Sequence, residues 1–259
     1  MGKLQNRVAL VTGGGRGIGR AIALAFAKEG ARVAVAARSK AELDEVVASI
    51  AERSGTAMAV AVDLTDRHAI AGLVSTVREE WGPIEVLVNN AGVGSSANPK
   101  PIRDFDDDFW DLSLWVNLTV PYLLSKAVLP EMLAAKRGRI ITVASIAGRI
   151  GSLHGAAYAA SKHGVLGLMR TLALESAAEG ITVNSICPGP VQTRMNDLRI
   201  QYDAQRLGRD LDEFEQSQTP IGGRLIPDDI APMAVYLAGD EARMVTGQAF
   251  NVCGGMLMS

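Results

Sequence analysis

Residues 8–26 constrain this chain more than any other stretch. Val8-Ala9-Leu10-Val11 is an uninterrupted apolar run, Thr12 leads into Gly13-Gly14-Gly15-Arg16-Gly17-Ile18-Gly19, and Ile18, Ile22 and Phe26 then recur every fourth residue. A strand that passes through a glycine-rich turn straight into an amphipathic helix is the geometry that receives a dinucleotide pyrophosphate. The anion sits where the first helical N–H groups lack intrahelical partners, and glycine lets the backbone approach it without a Cβ in the way. The rival phosphate motif, a P-loop, needs Gly-Lys followed by Ser or Thr. Here the turn continues Gly19-Arg20-Ala21, which argues against an ATPase or kinase.

The rest of the chain repeats the alternation. Strand-like runs recur at 32–36, 57–62, 85–88, 139–143, 182–186 and 249–252, with helical periodicity between them, as in Leu43, Val46, Val47 and Ile50. The early runs are almost pure Val, Ala, Ile and Leu, as strands must be when helices cover both faces of a parallel sheet. A long helix is expected over 112–133, bent by Pro121. No linker, repeat or low-complexity tract intervenes. Residues 1–259 therefore read as one doubly wound α/β domain of Rossmann type, with a parallel sheet of about seven strands. One segment, 188–223, departs from the rhythm. It is charged, lacks a strand pattern and holds two short amphipathic stretches, Met195/Leu198/Tyr202 and Leu207/Leu211/Phe214. Such an excursion predicts a substrate lid.

Composition removes several function classes. Lys and Arg number 26 against 28 Asp and Glu, so the basic surplus of a nucleic-acid or acidic-membrane surface is missing. Two cysteines exclude a disulfide framework, and the three histidines, 68, 154 and 163, are too scattered for a zinc set. No apolar stretch approaches the ~18 residues of a membrane span. The expectation is a soluble, cytoplasmic protein with no bound metal, no nucleic acid and no membrane partner.

Chemistry-bearing residues lie at the carboxyl ends of the later runs, where open α/β sheets bind ligands. Tyr158-Ala159-Ala160-Ser161-Lys162 places a phenol and an amine at i and i+4, ~6 Å apart along one helix face. Ser145 lies just past the fifth run, and Asn89-Asn90-Ala91-Gly92 follows the fourth. With the glycine turn, Asn117 in Val116-Asn117-Leu118 and Pro188-Gly189, these motifs make the chain resemble the short-chain dehydrogenase/reductase family over nearly its whole length. Every position of that family's Asn-Ser-Tyr-Lys tetrad has a match: Asn117, Ser145, Tyr158 and Lys162.

The resemblance implies a nicotinamide-dependent oxidoreductase, usually a homotetramer, that moves hydride between the cofactor and a small carbonyl or alcohol. It carries cofactor contacts onto Gly13, Gly15, Arg16, Gly17, Ile18, Gly19, Arg38, Asp63, Leu64, Asn90, Ala91, Gly92, Tyr158, Lys162, Pro188, Gly189, Val191 and Thr193. It carries substrate contacts onto Ser145, Tyr158, His154 and Met195. By that likeness Asn117 orders a water linking Lys162 to solvent. The residue types fit the chemistry. Hydride addition to a ketone builds charge on oxygen, which needs a donor and then a proton. Tyr158 is the acid/base, Lys162 the cation expected to lower its pKa, and Ser145 the group that polarises the substrate oxygen. At the end of the second run an acid would bind the ribose hydroxyls of NAD. This chain has Ala37 and Arg38, and with Arg16 they favour the 2′-phosphate of NADP(H), NAD(H) remaining possible.

A ketone reductase or alcohol dehydrogenase leads the readings. A reductase of 3-oxoacyl thioesters is the nearest rival and would use a basic patch, for which Arg149, Arg194 and Arg199 are candidates. An NAD-linked sugar or polyol dehydrogenase speaks against Arg38. A catalytically silent nucleotide sensor or scaffold predicts erosion of the Ser/Tyr/Lys set, which is intact.

Overall fold

The computed structural model describes residues 2–258. Seven parallel strands form one sheet: β1 (Val8–Thr12), β2 (Arg32–Ala37), β3 (Thr56–Ala61), β4 (Val86–Asn89), β5 (Gly138–Val143), β6 (Ile181–Pro188) and β7 (Ala249–Val252). They lie in the order β3-β2-β1-β4-β5-β6-β7. The chain winds outward from β1 in one direction, then returns to β4 and winds in the other. Between β1 and β4, paired Ala9 to Val86 and Val11 to Val88, the crossovers diverge and leave a crevice at the strands' carboxyl ends. Every predicted run is a strand, most shifted by a residue or two at the ends, as hydrogen-bond-defined boundaries usually are.

Helices cover both faces. On one lie α1 (Gly17–Lys28), α2 (Lys40–Ala51) and α9 (Pro227–Ala238), which bury Ile22, Phe26, Leu43, Val46, Ile230 and Leu237 against Val11, Val33 and Ile186. On the other lie α3 (Arg67–Trp81), α5 (Val120–Ala135) and α6 (Ala156–Ser176), which bury Leu73, Val77, Leu124, Val128, Val165 and Met169. Strands packed on both sides have no polar face, which is why β1, β4, β5 and β6 are buried at every residue.

The helix expected over 112–133 differs in the structure. It begins earlier, as α4 (Asp107–Leu114), where Asp106 accepts a hydrogen bond from Phe109 N–H at 2.9 Å and Asp107 and Asp108 favour the positive helix end. It then passes through a π turn, Trp115–Thr119, before α5. Pro121 is the cause within reach: it has no N–H to return to the carbonyl of Asn117, so the α ladder cannot run on unbroken. A second proline, Pro130, sits inside α5.

The 188–223 excursion contains two helices, α7 (Arg194–Leu207) and α8 (Leu211–Gln216), matching its two amphipathic stretches. Ile200, Ala204 and Phe214 form a small core of their own beneath them. Arg224 ties them down, donating to Asp197 at 2.6 Å and Glu215 at 2.7 Å.

Candidate active site

The crevice is built first by the glycine turn. Gly13 takes a positive φ of 64°, and a Cβ there would press within 3.0 Å of the Asn90 side chain and Ala91 backbone. Asn90 Nδ2 donates to the carbonyls of Thr12 (2.9 Å) and Gly13 (3.1 Å), while Thr12 Oγ1 accepts from the N–H groups of Asn90 and Ala91. The turn is thereby stitched to the end of β4. Helix α1 then starts at Gly17 with Arg16 as its N-cap, whose side chain makes no capping bond, and no acid occupies the first turn. Its first N–H groups face the crevice as a positive helix end, which fits a pyrophosphate.

Arg38 and Asp63 lie just past the carboxyl ends of β2 and β3. Arg38 is exposed just past β2. Hydrogen bonds from Thr65, first from its backbone and then from its hydroxyl, hold the Asp63 carboxyl below the usual carboxylate range, and Arg38 adds to this. Arg16 is already engaged, donating to Glu42 at 3.0 Å. At the far half of the sheet, Pro188 ends β6, Gly189 N–H donates to Val252 O at 3.0 Å, and Val191 is buried and bridged to Leu225. Thr193 caps α7, accepting from Asn196 N–H at 3.3 Å, with its methyl group beside Gly17. The lid root and the glycine turn therefore touch.

Ser145, Tyr158 and Lys162 come together. Ser145 begins the short turn after β5, where its Oγ accepts from Ala147 N–H at 3.1 Å and also hydrogen-bonds Tyr158. Lys162 Nζ lies 5.6 Å from the Tyr158 ring centre and donates to Val143 O at 2.9 Å. Burial pushes the Lys162 amine down to about 8. The expected lowering of Tyr158 by Lys162 is not what the structure has. Burial raises the phenol above its ordinary value, and the Ser145 hydrogen bond offsets this only in part. The reason is desolvation: Tyr158 is half-buried and Lys162 buried, which disfavours phenolate and ammonium alike.

Asn117 is buried within the π turn. Its side chain is fully committed, accepting from Val93 N–H (2.9 Å) and donating to Val93 O (3.0 Å) and Ser161 Oγ (3.1 Å). Its backbone carbonyl cannot take the usual α-helical bond, because Pro121 offers no N–H. Gly92 gives this residue room, since a Cβ there would come within 3.0 Å of Asn117 Oδ1.

The 188–223 segment is tied to the loops that follow β4 and β5. Ser96 Oγ donates to Met195 O at 2.7 Å, and the Met195 side chain lies over Gly94, a position where no Cβ fits. His154, at a positive φ of 55°, bonds through Nδ1 to the Tyr202 hydroxyl at 2.6 Å. Arg199 donates to Ser95 Oγ, Leu153 O and Asp203, the last at 2.5 Å. These contacts engage two of the three arginines considered for a basic patch. Arg199 is neutralised by Asp203, and Arg149 turns inward to Ala249 O, leaving Arg194 exposed. Sequence reasoning missed the clasp, although Arg199 and Asp203 stand at i and i+4. Tyr202 was hidden by its place in an apolar stripe. Cys187 was missed too; it lies buried behind Ser145, and burial pushes its thiol up, away from nucleophilic use.

Comparison with known proteins agrees with this geometry. The family profile described as short chain dehydrogenase matches residues 7–203. The chain is 38% identical over 256 residues to the 3-oxoacyl-(acyl-carrier-protein) reductase FabG of Vibrio harveyi, covering 98% of this chain and 99% of that one. It is 37% identical over 256 residues to the (2S)-(R-hydroxy(phenyl)methyl)succinyl-CoA dehydrogenase subunit BbsD of Thauera aromatica, covering 97% of each. Among solved structures, a single-residue variant of the actinorhodin polyketide ketoreductase with NADPH superposes with a TM-score of 0.92 at 38% identity, covering 99% of both chains. A nicotinamide-dependent oxidoreductase in fold, in site and in relatives, the chain belongs to the short-chain dehydrogenase/reductase family.

Proposed function

We propose that the protein reduces a ketone with NADPH, with 3-oxoacyl thioesters as the substrate class to test first. The observation that carries the reading is the convergence of Ser145, Tyr158 and Lys162 beside the carboxyl end of β5. The substrate preference is supported by relatives: a 3-oxoacyl-(acyl-carrier-protein) reductase and a polyketide ketoreductase with NADPH both align over almost the whole chain. Arg38, exposed beside Asp63, supports the 2′-phosphate form of the cofactor over NAD(H).

Bound in the crevice, the cofactor supplies hydride to the carbonyl carbon. The protein's own part is positional and protonic. Ser145 and Tyr158 hold the carbonyl oxygen, and Tyr158 donates the proton as charge develops there. Its raised pKa keeps the phenol protonated at neutral pH, as an acid for reduction must be. Lys162 holds positive charge beside the resulting phenolate, and the Asn117 carbonyl orders the water that returns a proton. The lid clasp excludes solvent during the step. The same reading carries a soluble, cytoplasmic homotetramer without metal, nucleic-acid or membrane partners. Exposed Leu174 and Met244 support an assembly.

The test is a panel of simple ketones, 3-oxoacyl thioesters, hydroxy acids and polyols, followed at the nicotinamide absorbance with NADPH and NADH. Reduction of 3-oxoacyl thioesters with NADPH is expected. Polyol oxidation with NAD as the best activity overturns the reading. In the same assay Tyr158→Phe is expected to bind NADPH normally and lose about 10²–10⁴ in turnover.

A further inference from the structure

The indole of Trp115 is a functional-looking side chain near the crevice that the mechanism above leaves unused. Trp115 opens the π turn, and its Nε1–H, a donor with no acceptor capacity, donates to Leu64 O at 2.9 Å. The ring is held from its other side by Arg67, whose guanidinium carbon lies 4.8 Å from the ring centre.

The Leu64 carbonyl belongs to the peptide unit whose N–H is that of Thr65. That N–H donates to Asp63 Oδ1 at 2.9 Å, and Thr65 Oγ1 donates to the same oxygen at 2.9 Å. One peptide plane is thus clamped at both poles, by Trp115 on its oxygen and by Asp63 on its nitrogen. Fixing it fixes the Asp63 carboxylate and the preceding N–H, that of Leu64. Leu64 is buried, and its N–H donates to no group among the described residues. An N–H with no protein partner beside an ionised carboxylate is a donor and acceptor pair matched to the ring nitrogen and amino group on one edge of adenine. The loop after β3 has no ladder partner at these residues, so its posture depends on such side-chain bonds.

We infer that Trp115 is a positioning residue for the adenine end of the cofactor, acting through Leu64 and Asp63 without touching the nucleotide. The inference rests on the dinucleotide reading above. Removing the indole N–H frees the 64–65 peptide to rotate and costs adenine-end affinity, while the nicotinamide end, on the other side of the crevice, keeps its own contacts.

The experiment measures binding of 2′,5′-ADP, which reports the adenine end alone, and of NMNH, which lacks it, by titration calorimetry, with NADPH kinetics beside them. Trp115→Phe keeps a ring and loses the donor. Its Kd for 2′,5′-ADP is expected to rise about fivefold, the loss of one hydrogen bond. KM for NADPH should rise more than kcat falls, and NMNH affinity should change less than about twofold, since its contacts do not involve the loop after β3. If Trp115→Phe folds poorly, β-(3-benzothienyl)alanine at 115 replaces only the N–H by sulfur in a ring of nearly the same shape. Unchanged 2′,5′-ADP affinity in the folded variant overturns the inference, as does an equal loss for 2′,5′-ADP and NMNH. Failure of the wild-type protein to bind NADPH and 2′,5′-ADP is a different result, and it overturns the cofactor reading itself.

Discussion

Lys162 carries a charge that its surroundings oppose. The residue is 6% exposed, and burial holds its pKa at about 8 against an ordinary 10.5. Between those values the unfolded chain binds more protons than the folded one, so this residue makes stability rise with pH from about 8 to about 10.5. Below pH 8 the full penalty stands, on the order of 3 kcal/mol. Lys162→Met is therefore expected to raise stability at pH 7 by about 1–2 kcal/mol, less than the penalty because the bond to Val143 O is lost, and to abolish turnover. Chemical denaturation at pH 7 and pH 11 checks it: the gain should shrink at the higher pH. In the wild type, kcat/KM for ketone reduction should fall above pH 8 as the cation is lost. The stability cost and the catalytic gain come from one placement. Tyr158 and Lys162 were legible in the sequence as an i, i+4 pair, because helical spacing alone brings them to one face. Their protonation balance was not, since desolvation depends on what α6 packs against.

Among elements, the π turn between α4 and α5 decides most. An unbroken α-helix over 107–135 would need an N–H at position 121 to receive the Asn117 carbonyl; Pro121 has none, and the ladder passes through a π turn instead. Pro121→Ala restores an N–H four residues after Asn117. It is expected to leave the melting temperature within a few degrees, because Pro near a helix start is tolerated in any case. Turnover should fall about tenfold or more while NADPH binding persists, if the carbonyl is the relay group. Steady-state kinetics with a fluorescence titration of NADPH separates the two effects. Pro121 signalled an interruption in advance, but a proline does not say whether the helix bends, breaks or widens into a π turn. The lid is the complementary case. Its two helices were legible from their apolar spacing, whereas the His154–Tyr202 and Arg199–Leu153 bonds join residues 48 and 46 positions apart. No local pattern announces such pairs.

Across the whole molecule, the edge of the sheet opposite the crevice carries its own lock. Arg7 and Arg139, each 4% exposed, both reach Asp240, and their remaining N–H groups cap the carbonyls of Ala238 and Gly239 at the end of α9. The Arg7 hydrogen bond leads the causes that hold Asp240 below the usual carboxylate range, so this stabilisation is present above the ordinary carboxyl pKa and fades in acid. Asp240→Ala leaves two buried guanidiniums without their anion. Because the carboxylate itself is well exposed, solvent screening moderates the cost to about 1–3 kcal/mol. Urea denaturation at pH 7 measures it; an unchanged midpoint would show that the backbone carbonyls suffice.

The sequence by itself determined the alternating strands and helices, the glycine turn between β1 and α1, and the Tyr158/Lys162 pair on one helix face, because periodicity, backbone freedom and helical spacing are local properties, while Asn117 was marked only by resemblance to the family. Tertiary structure alone decided that burial shifts both Tyr158 and Lys162 toward their neutral forms, that Asn117 spends its side chain on Val93 and Ser161, that Arg199 is neutralised, and that Trp115 grips Leu64. Burial and long-range hydrogen bonds set those facts, and both depend on which distant segments the sheet order brings together.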